Sequence, residues 1–421
     1  MSFKNRVIIE KIQTSPNRID YTYSVQGDWV EAFNLNEKFF VEYSLDISFL
    51  PKSIAVIPLL ANLLPMAWVY DAEIVCPECD KTFYDCIPQV KEGYKNMYPM
   101  MTLGGKVSVE AIIENRVENA HGAGSFFSGG VDAFDTLVCH EKEKPTLITL
   151  WGADVKLEDV AGWQRVDNHI SQVAKEFGVD FASVRSNFRR FLQEGVLNKR
   201  VQPSGDLWWH GFHHGIGIIS HGAPIAYLLK KKALYIASSF HISQKGRYTC
   251  ASDPTIDNFI RFSDTRVIHD GYERTRQNKV ANITDFSKRT EKKIPLRVCW
   301  ESEGGGNCCQ CEKCFRTMLA IYAQGFCPKD FGFEYTQEEL KTVSKTMRRV
   351  PHPCCGELRY GPIHAAMRQN IHKKDLPKEL RWFYSIAPKN FGKHPYVLFW
   401  RKVRAKLKSM ITKGKGTNGK K

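Results

Sequence analysis

Apolar and polar residues alternate from Arg6 to Glu10 and from Ile19 to Ser24, on either side of a Ser15-Pro16-Asn17 turn. That pattern predicts a β-hairpin. A third alternating stretch runs from Lys38 to Ser48, and the chain then turns helical and mixed through Met97. Its most apolar run, Ile54 to Tyr70, is broken by Pro58 and Pro65. The run falls short of the roughly 20 residues a membrane span needs, so a buried helix or helix pair is expected. From Gly124 the texture becomes strand and helix in alternation. Strands are predicted at Ser125-Phe126-Phe127, Thr146 to Trp151, Phe181 to Val184, Ala233 to Ser238 and Arg266 to His269. Helices are predicted at Val131 to Glu141, Asp159 to Phe177 and Leu207 to Leu229.

Strands separated by helices imply a parallel sheet with helices on both faces, a doubly wound α/β fold. The expected organisation is an N-terminal α+β domain (residues 1–118), a doubly wound α/β domain (119–335), a helical extension (336–390) and a basic tail (391–421). The extension should hold short helices at Thr336 to Met347 and Pro377 to Ser385.

The net charge of +15 on 421 residues would suggest nucleic acid or an anionic membrane, but its placement changes that picture. Residues 391–421 carry ten Lys or Arg and no acid, which leaves about +5 on the rest. In the tail, Phe399, Trp400, Val403, Leu407 and Met410 form an apolar stripe among Lys and Arg, a pattern suited to an anionic membrane surface or a protein partner. Nucleic acid fits less well, since the tail is the one strongly basic element. No apolar leader opens the chain. Five of the thirteen cysteines crowd into 16 residues, which favours metal ligation in a reducing cytoplasm over a disulfide framework.

The stretch Ser128-Gly129-Gly130-Val131-Asp132-Ala133 joins an apolar strand to a helix. Glycines let backbone N–H groups approach a ligand closely, and the helix N-terminus adds positive potential. Ser128 supplies a hydroxyl, and Asp132 is placed to work with Mg²⁺ or a nucleophile. Cys299, Cys308, Cys311 and Cys314, spaced C-x8-C-x2-C-x2-C, predict four thiolates on one Zn²⁺, with an iron–sulfur cluster as the alternative. Cys309 breaks the spacing and is read as a bystander.

The loop resembles the Ser-Gly-Gly-x-Asp-Ser signature of the PP-loop ATP pyrophosphatases, whose fold is of the adenine nucleotide alpha hydrolase type; here Ala133 replaces the last Ser. With the cysteine spacing, the chain looks like a divergent paralogue of the 7-cyano-7-deazaguanine synthases (QueC family) over residues 124–325. That resemblance places Leu150, Trp151 and Gly152 by the adenine and sets Tyr248, Pro254, Asp257, Phe259 and Lys279 against family positions. It departs at Trp208 to His214 and in the 118 residues before the loop. It implies AMP-forming activation of a carboxylate or amide, with ATP, Mg²⁺ and structural Zn²⁺, followed by attack of ammonia or another amine, with Ser128 and Asp132 as catalytic residues.

Two other functions compete. One is sulfur transfer to tRNA, for which Cys139 and Cys250 are the candidate thiols. The other is nucleotide binding without turnover in a defence or surface-glycan system, which Ala133 favours. A homo-oligomer is left open. Among weaker features, Cys76, Cys79 and Cys86 look like half a zinc site that Cys354 and Cys355 could complete. His210, His213, His214 and His221 recur at roughly helical spacing, and Asp253, Asp257, Asp270 and Glu273 lie near strand ends.

Overall fold

The computed structural model describes residues 3–299, 305–349 and 356–387. The basic tail, Cys354 and Cys355 lie outside the described residues. Two compact units emerge: residues 1–274 with 303–305, and residues 275–302 with 306–421.

The first unit is built on one sheet of eleven strands: β1 (Arg6–Thr14), β2 (Arg18–Gln26), β3 (Phe40–Tyr43), β4 (Glu73–Asp80), β5 (Lys106–Ile113), β6 (His121–Phe126), β7 (Thr146–Trp151), β8 (Phe181–Ser186), β9 (Lys231–Ala237), β10 (Arg261–Phe262) and β11 (Thr265–Asp270). Their order is β10-β11-β9-β6-β7-β8-β3-β2-β1-β4-β5. The block β11-β9-β6-β7-β8 is parallel throughout. A second parallel block, β1-β4-β5, runs the opposite way because the β1–β2, β2–β3 and β3–β8 pairs are antiparallel. This mostly parallel, helix-flanked sheet is consistent with a Rossmann-like doubly wound fold.

The boundary expected near residue 118 falls inside this unit. Val41 of β3 lies opposite Ser186 of β8, and Tyr43 opposite Val184. The N-terminal strands therefore extend the sheet of residues 119–274 and share its core: Val7, Ile19, Trp29 and Val41 are buried in one apolar cluster with Ile148, Val184, Leu234 and Val267. The apolar run is helix α1 (Ile57–Tyr70), preceded by one short turn of helix, and every residue of α1 is buried. A helix apolar all round belongs in a core. Among the described residues no helix is long and apolar enough to cross a membrane. Helix α2 (Lys81–Met97) links β4 to β5, so the N-terminal part contains a βαβ unit of its own.

Helices α3 (Val131–Cys139) and α4 (Val160–Phe177) connect β6, β7 and β8. The expected Leu207 to Leu229 helix is broken into a π-helical turn, Trp209–His213, and helices His214–Ile219 and Gly222–Leu228. In the second unit α5 (Arg276–Thr290), α6 (Glu312–Tyr322), α7 (Gln337–Arg349) and α8 (Glu357–Asn370) contribute to a small core with Val280, Phe315, Leu319, Tyr360 and Phe383 buried.

Candidate functional site

From β6 the chain winds outward through β7 and β8, then returns to place β9 and β11 on the other side of β6. The carboxyl end of β6 is thus a topological switch point, where open α/β sheets bind ligands. Ser128 to Gly130 sit there, between β6 and the N-terminus of α3. Gly129 has φ +77°, the left-handed region that a side chain makes costly, whereas Gly130 is extended at φ −80°. The turn therefore rests on Gly129, and Gly130 serves as the helix cap. The Gly130 N–H donates to Ser128 Oγ at 3.4 Å. Ser128 is exposed, Asp132 half-buried and Ala133 buried.

Charged contacts fix α3 to the end of β11. Thr136 Oγ1 donates to Asp270 Oδ2 at 2.8 Å, and Arg274 donates to both Asp270 and the fully buried Asp135 at 2.7 Å. His140 Nε2 lies 3.2 Å from Asp270 Oδ1. Burial alone would raise the Asp270 carboxyl, but the hydrogen bond from His140 and the Arg274 charge outweigh it and bring the pKa down to about 2. His140 is raised in turn, chiefly by Asp270. Sequence reasoning missed Arg274 and Asp135; an Arg four residues after an acid at a strand end was the available signal.

Leu150 and Trp151 end β7, next to the loop strand. The Trp151 ring stacks on Trp163 at 5.3 Å, and the Arg185 guanidinium lies 5.1 Å from it. Gly152 has φ +107°, and a Cβ there would meet Ser186 O at 2.0 Å, so the chain can leave β7 this way only with glycine.

The other acidic candidates have structural partners. Asp253 caps the short helix Pro254–Asp257, Asp257 is buried against His269 at 2.8 Å, Asp270 belongs to the network above, and Glu273 pairs with Arg274. Tyr248 and Phe259 are exposed, and Lys279 is buried in α5. Of the four histidines, His213 bonds Asn62, and His221 bonds Gly217 O and Ser186 Oγ; burial pushes both imidazoles down, to about 3 and about 4. Cys76, Cys79 and Cys86 are buried thiols, and burial pushes Cys76 and Cys86 up to about 12. They do not come together as a ligand set. Cys139 is pushed up to about 11 by burial and by Asp135.

In the second unit the four predicted ligands do converge. Cys299 and Cys311 Sγ lie 3.9 Å apart, Cys308 and Cys314 Sγ also 3.9 Å, and all four within 4.8 Å of one another. Cys308 Sγ accepts the N–H groups of Gln310 and Cys311 at 3.4 and 3.3 Å; Cys311 caps α6 and accepts from Cys314 N–H at 3.5 Å. Such N–H···S bonds stabilise thiolate charge. Asn307 clamps the knuckle: its Oδ1 accepts from Val298 N and Cys299 N at 2.9 and 3.3 Å, and its Nδ2 donates to Leu296 O and Gly332 O at 2.7 and 2.8 Å. Cys309 is buried outside the set. Among the described residues this is the only such cluster of His, Cys, Asp and Glu ligand atoms, and it could hold a metal ion such as zinc. Compared with known proteins, the chain matches no family model, no curated protein and no solved structure.

Proposed function

We propose that the chain is an ATP-consuming enzyme of the PP-loop type that forms AMP and pyrophosphate while activating a carboxylate or amide for attack by ammonia or another amine. The observation that carries this reading is the loop from Ser128 to Asp132, a left-handed glycine turn opening a helix at the switch point of a parallel sheet. Backbone N–H groups of the loop and first turn bind the pyrophosphate part of ATP, and Ser128 adds a hydroxyl donor. Trp151 and Leu150 flank the adenine. Mg²⁺ arriving with the nucleotide would be held by Asp132 and would neutralise phosphate charge. The loop's part in catalysis is to position the α-phosphate for the attacking substrate oxygen and to stabilise the charge that develops.

The metal of the tetrad is zinc in a structural role. A tetrahedral ion with Zn–S bonds near 2.3 Å sets its sulfurs about 3.8 Å apart, close to the 3.9 Å of both close pairs. An iron–sulfur cluster would hold thiolates on different irons well beyond the 4.8 Å that spans all four sulfurs here. Four thiolates fill the zinc shell and leave no position for water. Thiolate ligation suits a reducing compartment, the cytoplasm.

The test is product analysis with labelled ATP and a panel of carboxylates and amides. AMP with pyrophosphate is expected; ADP alone with every acceptor would overturn the chemistry. ATP binding without any cleavage would favour a nucleotide-binding module.

A further inference from the structure

The eleven-stranded sheet has two ends, and they are built differently. At one end β10 has two residues, Arg261 and Phe262, too short to recruit another strand. At the other end β5 runs for eight residues, Lys106–Ile113, and pairs with β4 alone. Proline and β-bulges are two devices that blunt a strand edge. β5 has no proline, and its register against β4 does not shift. Its one cation does not guard the edge as a free charge either, because Lys106 Nζ is bound to Glu73 Oε1 at 3.0 Å.

One hydrogen bond fixes the backbone phase of this edge. The Lys106 N–H donates to Ala72 O at 3.0 Å, so Lys106, Ser108, Glu110 and Ile112 turn their backbone groups toward β4. The N–H and C=O groups of Val107, Val109 and Ala111 therefore point away from the sheet, and among the described residues no backbone partner takes them. Side chains alternate in the same way. Val107 and Val109 are half-buried against the core. On the opposite face Lys106, Glu110 and Ile112 are exposed, Ile112 at 47%.

We propose that β5 is a dimer interface: it pairs antiparallel with β5 of a second copy of this chain, about a two-fold axis beside Val109. Outward-facing residues must meet outward-facing residues, so the axis passes beside a residue and never midway between two. An axis beside Glu110 would set that carboxylate against its own copy, which is unfavourable. An axis beside Ser108 would carry Ile112 past the strand, opposite Gly104 and next to Gly105, whose φ of +72° ends the extended chain. Beside Val109 the strand is used from Lys106 to Ile112. Val107 then exchanges backbone bonds with the partner's Ala111, and Val109 with the partner's Val109. Ser108 faces the partner's Glu110. Lys106 lies opposite the partner's Ile112 and diagonal to the partner's Glu110, a spacing that long side chains reach. The Lys106 stem covers the exposed isoleucine while its ammonium meets the carboxylate, and symmetry repeats the pair. β5 is thus complementary to itself in hydrogen bonds, apolar surface and charge, as an isologous contact requires.

Sedimentation equilibrium of the full chain, without nucleotide, tests this. A species of twice the 48.2 kDa chain mass is expected. Ala111→Pro removes an outward N–H at an exposed residue and keeps every bond to β4, so it should give monomer with an unchanged circular dichroism spectrum. Glu110→Lys, at an exposed side chain, should raise the dimer dissociation constant by roughly tenfold, because each of two symmetric pairs turns from attraction to repulsion. Val109→Cys should cross-link to itself on mild oxidation faster than Ser108→Cys or Glu110→Cys, with the bond mapped by mass spectrometry, since the Cα separation of about 5.5 Å in a hydrogen-bonded antiparallel pair suits a disulfide. A monomeric wild type would leave the edge to a strand of another protein and overturn the proposal. A dimer that survives both Ala111→Pro and Glu110→Lys assembles through another surface and overturns it too. Faster cross-linking at Ser108→Cys or Glu110→Cys overturns the axis beside Val109.

Discussion

Replacing Asn307 by alanine would test whether the metal knuckle depends on its clamp as well as on its sulfurs. The Asn307 side chain makes four hydrogen bonds, and three of them, to Val298 N, Cys299 N and Leu296 O, are partly buried. The fourth, to Gly332 O, is exposed and contributes little. At about 1 kcal/mol for each partly buried bond, the loss is about 3 kcal/mol. These bonds hold Cys299 against the Cys308–Cys314 segment, so the loss falls mainly on the metal-bound state. That corresponds to a metal affinity weaker by on the order of 100-fold. Competition with a chromophoric chelator, followed through zinc release, measures this directly, with metal content before competition as the control. A variant that resists the chelator as well as the wild type would show that the four sulfurs alone set the affinity, and the clamp argument would fail.

Three further outcomes follow from the geometry. Gly129→Ala should cost about 1–2 kcal/mol of stability, since φ is positive there, while Gly130→Ala, at an extended residue, should cost much less; equal shifts in Tm would contradict this. Cys309→Ser should keep about one zinc per chain and Cys308→Ser should lose it, as read by metal analysis; loss in both would place Cys309 among the ligands. The His140–Asp270 pair should make stability fall at both pH extremes. His140 is raised above 6.5, so its contribution is full below that value and disappears as pH rises through the folded value. Asp270 is depressed to about 2, so its contribution is present above the ordinary carboxylate range and disappears as pH falls toward 2. His140→Ala should flatten the alkaline limb of Tm against pH, and an unchanged limb would assign it to other groups.

The sequence made the local parts legible. Thr146–Trp151 was legible to the residue because its largely apolar run is bounded by Pro145 on one side and Gly152 on the other. The cysteine tetrad was legible because its ligands lie within 16 residues and the spacing itself encodes the convergence. Strands β4 and β5 were missed for identifiable reasons. Pro77 argues against a strand, and it is tolerated because β1 pairs with β4 only as far as Val75, leaving Pro77 with one neighbour. Strand β5 is mostly exposed and lacks a buried face to mark it. The contact between the Ala251 N–H and the His210 carbonyl was also illegible, since residues some forty positions apart meet only through tertiary packing.

The pairing of β3 with β8 carries a consequence for how this chain must be made. An unpaired strand edge is a template for association with other chains, and β8 would be such an edge in any chain begun at residue 119. Val184 and its neighbours would then expose hydrogen-bonding groups that β3 now occupies. Residues 119–274 should accordingly aggregate when expressed alone. During synthesis the order is reversed: β3 is complete long before its partner emerges, and the edge it offers waits for about 140 residues of chain. Contacts so distant in sequence slow folding and prolong exposure of sticky intermediates. A chaperone that shields β1 to β3 until β8 arrives would be expected to raise the yield of folded protein.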